Sequence, residues 1–132
     1  MRISKSTQRW FPFVDDPDEG SVLVEHLSPG DTQDIYDETM PQNIEYEEDD
    51  KGNMVPIFKT DMDRKAQREK TLVACIKDWK NHFDEQGEPI KCNPENIIRA
   101  SRGIEGYNEF ITECRNTLAD DIEKEKKVLE KN

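Results

Sequence analysis

Apolar positions along this chain change their period several times, and each change marks an element. Trp10, Phe11 and Phe13 cluster around Pro12, and beyond the turn-forming run Asp15-Asp16-Pro17-Asp18-Glu19-Gly20, Val22 and Val24 alternate with Leu23 and Glu25. Extended patterns on either side of a turn predict a β-hairpin. Pro12 has no N–H to give to a ladder, so the first strand is expected at a sheet edge or bent there. A two-stranded hairpin is marginal alone, so it must lie on helices or take strands from a neighbouring subunit.

Ser28-Pro29-Gly30-Asp31 places a hydroxyl cap, a proline at the first helical position and an acid in capping-box register. This predicts a short helix over 32–40 with Ile35, Tyr36 and Met40 on its apolar side. Residues 42–53 hold Glu45, Glu47, Glu48, Asp49 and Asp50, a composition that predicts a solvated, flexible connector. The competing reading is weak extended structure, because Ile44 and Tyr46 alternate before Asp49-Asp50-Lys51-Gly52 and Met54, Val55, Ile57 and Phe58 follow it. From Asp61 onward, Met62, Ala66, Leu72, Val73, Ile76, Trp79 and Phe83 recur near helical spacing with no glycine or proline before Gly87. A long central helix ending near His82 is predicted, with Trp79 and Phe83 on one face. Tyr107, Phe110, Ile111, Cys114, Leu118 and Ile122 then form the stripe of a final helix whose end, over 120–132, is largely charged.

Between the last two helical patterns lies a compact joint. Gly87 suits a turn that needs positive φ, Ile90 and Cys92 alternate as in a short extended segment, and Asn93-Pro94 forms a cap followed by proline at the first helical position. A short helix is predicted to run from Pro94 to Ala100, with Gly103 and Gly106 bracketing its end. Trp79, the Asp84-x-x-Gly87-x-Pro89-Ile90 turn and the Cys92-Asn93-Pro94-Glu95-Asn96 helix start resemble the tail assembly chaperones of long-tailed bacteriophages and prophages. The resemblance extends to Trp10-Phe11-Pro12-Phe13 and to Val22-Leu23-Val24-Glu25-His26-Leu27-Ser28-Pro29-Gly30-Asp31. It implies a protein that coats a tape measure protein, recruits tail tube subunits, self-associates, works in the bacterial host cytoplasm and has no catalytic residues. The acidic stretch Glu45 to Asp50 departs from the family pattern.

Composition narrows the alternatives. Across 132 residues, 33% are hydrophobic and 37% charged, which predicts one domain with a thin core: residues 1–40 as hairpin and helix, 41–58 as connector, 59–132 as the helical part. The net charge of −11 is concentrated in the first 58 residues, which hold 14 acids against 4 bases. Phosphate backbones are bound by clustered Lys and Arg, so nucleic acid is not an expected partner and a basic one is easier to infer. Residues 1–8 carry no apolar core, and no apolar run is long, so neither a signal peptide nor a membrane span is expected.

Little chemistry presents itself. There is no Gly-rich phosphate loop, no Gly-x-Ser-x-Gly and no His-Glu-x-x-His, so catalysis and cofactors are not expected. Cys75, Cys92 and Cys114 read as buried or half-buried thiols; His82 with Cys75 and Cys92 has a spacing that zinc could use, but structural zinc favours four ligands in tight pairs. Asp61-x-Asp63 lacks the glycine and glutamate of a calcium loop and reads as a helix cap. The expected fold is α+β and mostly helical, an N-terminal hairpin packed with three to four helices. Candidate partner-binding positions are Trp10, Phe11, Phe13, Tyr36 and Ile44. A tail or head-tail connector component, and an acidic DNA-mimicking inhibitor, are the rival function classes.

Overall fold

The computed structural model describes residues 1, 7–40, 44–58 and 63–130 and contains two antiparallel sheets and four helices in an α+β arrangement. The chain runs β1 (Gln8–Pro12), β2 (Ser21–Glu25), α1 (Pro29–Thr39), β3 (Ile44–Glu48), β4 (Met54–Phe58), α2 (Arg64–Cys75), β5 (Ile76–Lys80), α3 (Pro94–Gly103) and α4 (Tyr107–Glu130). One sheet has the order β1-β2-β5, and β3-β4 form the other. No described helix is long and apolar enough to cross a membrane.

Local sequence chemistry sets most element starts. Ser28 Oγ accepts from the Asp31 amide at 3.1 Å, completing the capping box of α1. Asp63 Oδ1 caps α2 through the Ala66 amide, while Asp61 lies outside the described residues. Asn93 Oδ1 accepts from Asn96 N at 2.8 Å and Pro94 opens α3, as its sequence requires. The first hairpin turns on Asp16, whose carboxylate accepts the amides of Asp18 and Gly20.

The central helix stops earlier than its apolar spacing predicts. It ends at Cys75; Ile76 turns extended at φ −88°, ψ 115°, and the chain enters β5 at once. The physical reason is a vacant edge on β2, which gains an antiparallel neighbour by pairing Val22 with Trp79 and Val24 with Ile76. A register shift opposite Leu23 and Val24 inserts an extra residue in β5, so Ile76 and Trp79 both face inward although three apart. A bulged strand thus imitates a helical interval. Trp79 is buried whereas Phe83, predicted to share its face, is 40% exposed beyond the strand.

The connector also resolves. Over 44–58 the extended alternative is the one adopted: β3 and β4 pair from Ile44↔Phe58 to Glu48↔Met54. Asp49 Oδ1 accepts the amides of Lys51 and Asn53, and Gly52 takes φ 79°, closing the tip. Within the rest, Val22 and Val24 meet Leu27, Ile35, Leu72, Cys75, Ile76 and Trp79 in one core with the α3 and α4 residues Ile97, Ala100, Tyr107, Ile111, Cys114 and Leu118.

The joint after β5 is fixed by buried polar bonds. Trp79 stacks on His82 with ring centroids 4.3 Å apart and 9° between planes, and its Nε1 donates to Ile90 O at 2.8 Å. His82 Nδ1 lies 2.9 Å from Lys80 O, and Nε2 lies 2.9 Å from the Tyr107 hydroxyl. A carbonyl only accepts, so Nδ1 carries the proton and neutral Nε2 accepts from Tyr107. Burial, the largest influence, pushes His82 below the ordinary 6.5, opposed by the bond to Lys80 O and by Asp16.

Two outcomes follow. Tyr107→Phe leaves His82 Nε2 without its donor and should lower unfolding stability by about 1–3 kcal/mol in urea titration. Because the folded value is depressed, His82 contributes stability that is fully present above pH 6.5 and declines as pH falls from 6.5 toward the folded value. Denaturant midpoints of wild type and His82→Gln between pH 7.5 and 5 should converge as the pH drops; parallel curves would refute the assignment.

Candidate partner-binding surface

Alternation along β1 divides its aromatic residues between two faces. Arg9, Phe11 and Phe13 point toward α4: Arg9 Nη1 bonds Asp121 Oδ2 at 2.7 Å, and Phe13 meets the Phe110 ring edge-on at 4.9 Å. Phe11 packs against the core beside Val22, its strand partner. Both rings are half-buried, so much of their apolar area is already committed to folding.

Trp10 stands on the opposite face and is 37% exposed. Its partner Leu23 is half-buried, and Lys80 Nζ sits 4.4 Å from the Trp10 centroid, a cation–π contact that fixes the indole. Lys77 and Glu25 form an ion pair on the same sheet at 3.0 Å. Since the strand order is β1-β2-β5, β1 is an edge whose outer backbone groups have no strand partner among the described residues. An aromatic side chain beside an unpaired strand edge is suited to receiving an extended chain.

The remaining candidates lie apart from this face. Tyr36 is exposed on α1, where it flanks a cleft of about 450 Å³ with Pro29 and Gln33. Ile44 enters β3 through its backbone pairing with Phe58, and its side chain lies outside the described residues. The arm carries apolar groups that sequence reasoning did not single out as sites. Tyr46 is 60% exposed, Met54 is 63% exposed, and Val55 is exposed between them and Pro56. Tyr46 pairs with Pro56 and Glu48 with Met54, so these residues share one face, while Glu47 and Val55 occupy the other. The signal was the two-residue alternation around Asp49-Asp50-Lys51-Gly52, outweighed by the density of acid.

Three separate apolar exposures therefore exist, on a sheet edge, a helix flank and a hairpin arm. Among the described residues no three His, Cys, Asp or Glu side chains are grouped to hold a metal ion. His82 uses both ring nitrogens within the fold. Desolvation lifts the Cys75 and Cys92 thiols to about 11 and that of Cys114 to about 12, which suppresses the nucleophilic thiolate. No family model, curated protein or solved structure matches the chain.

At pH 8 about one thiol in a thousand or fewer is ionised at these values. Ellman's reagent should therefore react slowly with the native protein and release three equivalents once denaturant opens it. A fast full equivalent from the folded chain would contradict the burial described.

Proposed function

We propose that the chain is a tail assembly chaperone of a long-tailed phage or prophage, acting in the host cytoplasm by holding an extended apolar client rather than by making bonds. The observation that carries this reading is the exposed apolar surface of a thin-cored, acidic protein: Trp10 beside the free edge of β1, and Tyr46 with Met54 on an arm. The motif resemblance supplies the client, a tape measure protein, and the recruited subunit, the tail tube protein.

The physical fit is direct. A client segment added along β1 gains backbone hydrogen bonds irrespective of its sequence, and Trp10 adds apolar area without demanding one side chain. Each contact is weak, but several copies along a long client combine through multivalency. The −10 concentrated in the first 58 residues keeps apolar patches on neighbouring copies apart and the loaded complex soluble. Self-association and absence from the finished particle belong to the same reading; nucleic acid and membrane have no part in it.

Co-expression with the tape measure protein encoded beside it tests the proposal. The chain should raise the soluble yield of that client, and Trp10→Ala combined with Tyr46→Ser should weaken capture about tenfold, with helical circular dichroism unchanged. A client equally insoluble with and without the chain would end the proposal. So would stoichiometric recovery of the polypeptide from purified virions, which would make it a structural tail component.

A further inference from the structure

A cavity of about 300 Å³ between α2 and α4 inverts the charge of its surroundings. Arg64 and Arg68 from α2 and Arg115 from α4 line it, above an apolar floor that includes Leu72 and Ile111. In so acidic a chain, Arg9, Arg99 and Arg102 each sit on a carboxylate. Among the described residues, by contrast, Arg64, Arg68 and Arg115 make neither an ion pair nor a side-chain hydrogen bond. Glu69, next to Arg68 in sequence, is already held by Arg102 at 2.6 Å.

One further observation concerns the local field. Arg64 opens α2 and Arg68 follows one turn later, placing two cations at the positive end of the helix dipole, where the carboxylate of Asp63 is engaged in capping the Ala66 amide.

We infer that this cavity binds an acidic peptide segment, a carboxylate side chain neighbouring an apolar one. The carboxylate accepts from the arginines, and the apolar side chain lies over the Leu72 and Ile111 side of the cavity. Planar guanidinium groups suit a carboxylate bidentately. Inorganic phosphate would satisfy the arginines while leaving the apolar floor uncovered. The site is independent of the assembly reading, since it can be measured without any phage component.

The test is fluorescence anisotropy of a labelled, capped Leu-Glu-Leu-Glu peptide titrated with the full chain. Saturable binding is expected, weakened about tenfold by either Arg68→Gln or Arg64→Gln, unchanged by Lys127→Gln, and lost when glutamine replaces glutamate in the peptide. Both arginines are exposed, so the two variants report independently of folding, which thermal unfolding monitors. No saturable binding, an equal loss with Lys127→Gln, or phosphate binding as tightly as the peptide would each overturn the inference.

Discussion

The structure depends on a buried imidazole held neutral between two rings and a carbonyl. His82 lies flat on Trp79, meets the edge of Tyr107, and uses one nitrogen on Lys80 O and the other on the Tyr107 hydroxyl. Trp79 closes the loop by donating to Ile90 O. These bonds join β5, the turn after it and the start of α4, segments whose apolar content alone is meagre. In a chain with 33% hydrophobic residues, directional buried bonds must define geometry that a larger core would enforce by volume.

What could be read from the sequence was what lies within a few residues. The Ser28–Asp31 capping box, the Asn93-Pro94 start and positive φ at Gly87 are local choices and appear where their chemistry puts them. The stripe of α4 was equally legible, because Tyr107, Ile111, Cys114 and Leu118 repeat without interruption and all are buried. The strand β5 was not: pairing with β2, more than fifty residues earlier, decides it, and its bulge reproduces the three-residue interval of a helix. Charge density hid the second hairpin, although its turn residues were in view.

The candidate surface was legible in part for the same reason. Trp10, Phe11 and Phe13 stood out as a cluster, but only strand alternation separates the exposed indole from the two half-buried rings. The arginine-lined cavity was invisible, since Arg64 and Arg115, far apart in sequence, come to line one cavity only through the tertiary fold. On the two proposals above, apolar groups outside and cationic groups in a recess would be chemically distinct means of recognition.

The passage from Cys75 in α2 to Ile76 in β5 contains no spacer residue. Helix phase and strand face are therefore locked together, and a one-residue insertion at that point would reverse which side chains of β5 meet Val22 and Val24. The tip at Asp49–Asn53, by contrast, can lengthen without disturbing any element packed in the core. Natural length variation should accumulate at that tip and be purged from the α2–β5 boundary, making the boundary a fixed landmark for aligning divergent relatives.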